Sequence, residues 1–204
     1  MRKQVKMSVL KRILAVVIAV AVAVSMLTIP DAEVSAATGK VKSVAVTNLP
    51  AKQLTLKKGK SFTLKTKVSV SGKKVSKAVT YKTSNKKVAT VNAKGKITAK
   101  KNGKAVITVI SKANKKKTVK IKVTVGTPVT SIKLSKTKAS LTVGKTLKLK
   151  ATVAPKKASS KSVVWKTSNK KIATVSANGV VKGIKAGTVK ITALAKDGSG
   201  KKKV

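Results

Sequence analysis

The stretch YKTSNKKVATVNAKGKITAKKNGKAVITV, Tyr81 to Val109, recurs 84 residues later as WKTSNKKIATVSANGVVKGIKAGTVKITA, Trp165 to Ala193. The two copies align without a gap over 29 positions, 15 of them identical. Upstream, GKSFTLKTKV at Gly59 matches GKTLKLKATV at Gly144, and VKSVAVTN at Val41 matches VTSIKLSK at Val129. The unit is about 85 residues long, and GTP at Gly126 to Pro128 is the joint. A repeat of this size is one structural unit used twice, and so short a joint makes a stiff tandem.

Within each unit the hydrophobic period is two. In TLKLKATV, Leu147, Leu149, Ala151 and Val153 alternate with Lys148, Lys150 and Thr152. In TVKIKVTV, Val119, Ile121, Val123 and Val125 alternate with Lys120, Lys122 and Thr124. Side chains alternate across a strand, so each segment has one dry face and one wet face. The β-branched Val, Ile and Thr favour that state. Turn signals such as KKGK, SGKK, TSNKK and KKNGK punctuate the first unit, and Asn178–Gly179 is a hairpin signal in the second. Short strands at this spacing predict an all-β fold of two tandem sandwiches.

An aromatic residue, then TSNKKVATV, a turn with Gly, a short strand, a second Gly and VITV: this order resembles the bacterial Ig-like group 2 domain. The resemblance covers Val41 to Val125 and, less completely, Val129 to Val204. It implies two Ig-like β-sandwich domains, 39–125 and 127–204, with a role in spacing, adhesion or carbohydrate contact rather than catalysis. In two places the chain departs from the family. Asn92 and Ser176 stand where the family often has an acid after ATV, and both can cap a turn through the side chain. The second unit reaches KKKV where the counterpart of TVKIKVTV should begin, so domain 127–204 is expected to lack its last strand. The shared SNKKVATV segment reads as a fold signature. Val88 and Val91, or Ile172 and Val175, belong to the core, and Ser84 and Asn85, or Ser168 and Asn169, to a turn. Tyr81 and Trp165 are expected to pack between sheets.

The first 37 residues are a separate object. MRKQVKMSVLKR carries Arg2, Lys3, Lys6, Lys11 and Arg12; an apolar run follows from Ile13, Pro30 breaks it, and DAEVSAA ends in small residues. That order is a secretory signal peptide, 1–37, whose helix is removed by cleavage after Ala36 or Ala37. A permanent membrane anchor is the competing reading, and it would need about 20 apolar residues.

Export sharpens the charge. The whole chain carries 49 Lys plus Arg against 3 Asp plus Glu, with no His and no Cys. Beyond residue 37 there are 44 Lys, no Arg and one acid, Asp197, a net of +43. General acid–base chemistry draws on His, Asp or Glu, Cys and His metal sites are impossible here, and calcium wants several carboxylates. The composition therefore argues against an enzyme, and no cofactor or metal is expected.

A solvated strand face explains many lysines but not the missing acids, because like charges repel and an ordinary surface mixes signs. We read the excess as an attraction to polyanions. The candidate contacts are Lys120 and Lys122, Lys148 and Lys150, and Lys170 and Lys171. A lysine-biased genome is the competing explanation; it accounts for Asn in place of Asp better than for the near loss of Glu. Base readout relies on Arg, Asn and Gln, single-strand binding on aromatics, and bidentate phosphate contacts on Arg. No specific nucleic acid is therefore expected, and a non-specific nucleic-acid-binding protein is the alternative. The expected partners are anionic cell-envelope polymers, teichoic acid or acidic polysaccharide, with host surface glycans as a further class. The expected location is secreted, or on the cell surface or cell wall.

Overall fold

The computed structural model describes residues 39–204. The apolar segment and the cleavage positions Ala36 and Ala37 lie outside them. Every regular element among the described residues is a strand. In the first unit these are β1 (Lys40–Val46), β2 (Gln53–Leu56), β3 (Ser61–Thr63), β4 (Thr66–Ser71), β5 (Val79–Thr83), β6 (Ala89–Val91), β7 (Lys96–Ala99), β8 (Gly103–Ser111) and β9 (Thr118–Val125). The second unit has β10 (Ser131–Leu134), β11 (Thr146–Lys148), β12 (Ala151–Ala154), β13 (Val163–Thr167), β14 (Ala173–Val175), β15 (Val180–Gly183), β16 (Ile191–Ala195) and β17 (Lys202–Lys203).

In the first unit a four-stranded sheet, β2-β9-β8-β5, packs against the pair β1-β4 and the ribbon β3-β7-β6. Alternation decides which side chains meet. Val119, Ile121, Val123 and Val125 of β9 and Ala105, Ile107 and Val109 of β8 point inward and are buried. Leu54 from β2, Leu64, and Ile97 and Ala99 from β7 close the same core. The second unit repeats the plan with β10-β12, β11-β15-β14 and β13-β16-β17.

TLKLKATV keeps its alternation of dry and wet residues but is two strands: β11 pairs with β15, and β12 pairs with β10. The switch falls at Leu149–Lys150. The Leu149 amide donates to the Gly179 carbonyl in one layer, at 2.8 Å, and the Lys150 amide donates to Ser135 Oγ in the other, at 2.9 Å. Leu64 and Lys65 do the same, donating to the Gly95 carbonyl and to Asn48 Oδ1. One continuous segment thus stitches the two layers together. Periodicity cannot show this, because the pleat runs on while the hydrogen-bonding partner changes.

Tyr81 and Trp165 are half-buried. Tyr81 packs on the core of the first unit, and Trp165 joins the two apolar clusters of the second. Each lies over the glycine of a tight hairpin, Gly95 (φ 75°) or Gly179 (φ 79°), in the left-handed region where a Cβ is strained. Asn92 Oδ1 accepts from the amides of Lys94 and Lys96, and Ser176 Oγ accepts from Val180, so both cap the turn at the family's acidic position.

The units differ at one edge. β9 runs antiparallel to β8 and parallel to β2, with Leu54 opposite Val123 and Leu56 opposite Val125. In the second unit β17 pairs Lys202 with Leu194 and Lys203 with Ala193, the register positions of Thr118 and Val119. No strand matching β2 forms between β10 and β11.

Candidate polyanion-binding surface

The six candidate lysines are all exposed, and they fall on three separate places. Lys120 and Lys122 stand on the outward face of β9, about 7 Å apart by the strand repeat. Cross-strand register sets Lys120 beside Thr108 and Thr108 beside Lys82, so Lys82 and Lys120 flank one threonine about 10 Å apart. Lys104, opposite Thr124, belongs to the same face. Lys82 and Lys104 were not among the residues singled out by sequence. Only the pairing of β5 and β8 with β9 reveals that they share this face.

Lys148 lies on β11 opposite Val180, and Lys150 sits at the layer switch against Ser135. Lys170 and Lys171 occupy the turn after β13, where Asn169 Oδ1 accepts the Lys171 amide at 2.9 Å. The structure therefore brings Lys120 and Lys122 together with Lys82 and Lys104 on one sheet face. It leaves the other four on different elements.

Ser84 and Asn85 are committed to the backbone. The Val106 amide donates to Ser84 Oγ at 2.9 Å while the Ser84 amide donates back to the Val106 carbonyl. Asn85 Oδ1 accepts from Lys87 and Val88. Ser168 and Lys190 repeat the reciprocal pair. These are turn residues, as their pattern predicts. Val88 is buried, Val91 and Val175 pack against the cores, and Ile172 is half-buried.

The one acid among the described residues is not at the surface. Asp197 is 0% exposed. Its Oδ2 accepts the Val129 amide at 2.7 Å and its Oδ1 accepts the Ser199 amide at 3.0 Å. Against this stand 44 lysines, so the described surface carries positive side-chain charge and no acidic side chain. The residues that sequence reasoning leaves unread are thus Asp197 and its neighbours. The available signal was its being the sole acid beyond residue 37, directly before a glycine.

Two sandwiches built from facing layers of strands, joined by Gly126 to Pro128, define a tandem Ig-like protein. The family described as bacterial Ig-like domain (group 2) matches residues 40–123 and 128–204, and the chain belongs to that family. A 3-O-alpha-D-galactosyl-alpha-L-arabinofuranosidase of Bifidobacterium longum subsp. longum is 57% identical over 56 residues, covering 28% of this chain and 5% of that protein. A kappa-carrageenase of Pseudoalteromonas carrageenovora is 42% identical over 69 residues, covering 34% of this chain and 17% of that protein. The chain thus spans 5% to 17% of the length of these relatives. Among solved structures, the S-layer protein SbsC matches 76% of this chain and 26% of its own, at a TM-score of 0.31 and 21% identity. An intimin mutant of EHEC O157:H7 matches 48% of this chain and 50% of its own, at 0.29 and 24%.

Proposed function

We propose that this protein is an exported, non-catalytic module, secreted or held at the cell surface or wall, that spaces or adheres while its lysines hold anionic polymers. Teichoic acid and acidic polysaccharide are the ligand class. One observation carries the reading: 44 lysines face a single acid, and that acid is buried. An unscreened positive surface destabilises the fold through self-repulsion. A bound polyanion relieves that repulsion and stabilises the folded state by mass action. Phe62, Tyr81 and Trp165 are each partly buried against an apolar core, which weighs against stacking of nucleic-acid bases as the mode of contact.

The test is fractionation of a producing culture followed by salt extraction. The protein is expected on the cells and released by salt, and purified teichoic acid is expected to compete for it. Screening acts over roughly 8 Å at physiological ionic strength, so affinity should fall steeply as salt rises. Binding that stays constant from low to high salt would overturn the electrostatic part of the proposal.

A further inference from the structure

Asp197 holds the two sandwiches to each other. Its carboxylate takes the amide of Val129, three residues after Gly126 in the joint, across a sequence separation of 68. Its backbone carbonyl accepts the Thr55 amide of the first unit at 2.7 Å. Gly198 follows with φ 75°, and a Cβ there would stand 2.8 Å from Leu49 Cδ2 and 3.0 Å from Leu54 Cδ1, both in the first unit. β2 is the edge strand of its sheet, so the Thr55 amide would otherwise face solvent unpaired. Thr55 stands in the outward row with Thr124 yet is only 5% exposed. Within the joint, the Thr127 amide donates to Ser159 Oγ and the Ser159 amide donates to the Thr127 carbonyl.

We infer that the β2 edge of one Ig-like unit is a docking surface whose occupant is the Asp-Gly loop of the unit that follows. Three features converge on it: an open edge amide, a close approach to Leu49 and Leu54 at a left-handed position that favours glycine, and a carboxylate that ties the loop to the incoming joint. The carboxylate tolerates burial because two backbone amides bind it. The corresponding loop of the first unit has a different sequence. By strand register Ala113 and Asn114 take the places of Asp197 and Gly198, and Ala113 is exposed. A unit with Asp-Gly in this loop docks on a preceding unit, and a unit with Ala-Asn does not.

The experiment measures residual dipolar couplings on the exported full chain. In the parent, amides of both units should fit one alignment tensor. Replacing Asp197–Gly198 by Ala-Asn should give each unit its own tensor. Thr55→Pro attacks the same contact from the first unit, at an edge position where the sheet does not use the amide. It leaves the second unit's internal contacts in place, so it decides the matter even if the first variant fails to fold. Two tensors in the Thr55→Pro protein, with both units folded, support the latch. One shared tensor in that protein overturns it.

Discussion

A Cβ on Gly179 would stand 2.9 Å from Cε2 and Cζ2 of Trp165, so the hairpin glycine is the floor on which the indole rests. Gly95 and the Tyr81 hydroxyl repeat the relation at 2.8 Å. Fourteen residues separate aromatic from glycine in both copies, which is why the pair recurs with the repeat. Gly179→Ala should meet three obstacles: the left-handed backbone, the Leu149 carbonyl oxygen 2.5 Å from the added Cβ, and the ring. Gly144 isolates the first: its φ is 81° and nothing lies within 4 Å of an added Cβ. Gly144→Ala should destabilise by about 1–2 kcal/mol, and Gly179→Ala by at least about 1 kcal/mol more, from overpacking. Urea denaturation of the two variants checks this. Equal losses would show that both the ring and the Leu149 carbonyl give way freely.

Trp165→Ala should destabilise the second unit by about 3 kcal/mol, the lower end for emptying a large aromatic site, because the indole is only half-buried. The parent's single tryptophan should emit at an intermediate wavelength and be partly shielded from acrylamide. Free quenching would contradict its packing against the two apolar clusters it joins.

How much of this was legible in the sequence follows from what periodicity can carry. Alternation in TVKIKVTV places Ile121 in the core and Lys122 in water correctly, because the pleat alone settles which face a residue takes. It says nothing of partners. The layer switch at Leu149–Lys150 is invisible because both strands keep the same alternation, and the parallel pairing of β2 with β9 joins segments about 70 residues apart. The lysine face is half legible for the same reason: Lys120 and Lys122 share a strand, whereas Lys82 and Lys104 join them only through register. Asp197 was visible as an exception in composition, but the chain around it gives no periodic signal that it is buried.

Charge contacts that are diffuse should be interchangeable. Lys120→Gln with Lys122→Gln should weaken binding to a linear anionic polymer by about the same factor as Lys170→Gln with Lys171→Gln, since each removes two screened charges. The slope of log affinity against log salt should fall by a similar amount in both. A loss confined to the first pair would instead localise the ligand to the β5-β8-β9 face.

Polyanion binding should also stabilise. Because the described surface has no acidic side chain to offset its lysines, added polyphosphate should raise the melting temperature, and simple salt alone should raise it by screening. A melting temperature indifferent to both would mean that self-repulsion is already negligible.

Intact mass of the protein recovered from culture should begin after Ala36 or Ala37, from the charged, apolar and small-residue order that precedes them. Recovery with Met1 attached would favour the membrane-anchor reading.

The SNKK segment of each repeat offers a test between fold signature and binding site. Ser84 Oγ and Asn85 Oδ1 accept backbone amides and so are spent on the turn. Ser84→Ala leaves the Val106 amide without its side-chain partner; at this exposed position the loss should be about 0.5–1 kcal/mol. Asn85→Ala removes two acceptor contacts at once, and should lose about 1 kcal/mol by analogy with lost caps. Ser168→Ala should behave like Ser84→Ala, because the Lys190 amide is held in the same way at 3.0 Å. None of the three changes charge, so affinity for anionic polymer should be unchanged at every salt concentration. The paired measurement is a denaturation midpoint and a binding isotherm on the same preparation. A variant that keeps its midpoint and loses the polymer would make the SNKK turn a recognition element after all, and the lysines beside it its specific contacts.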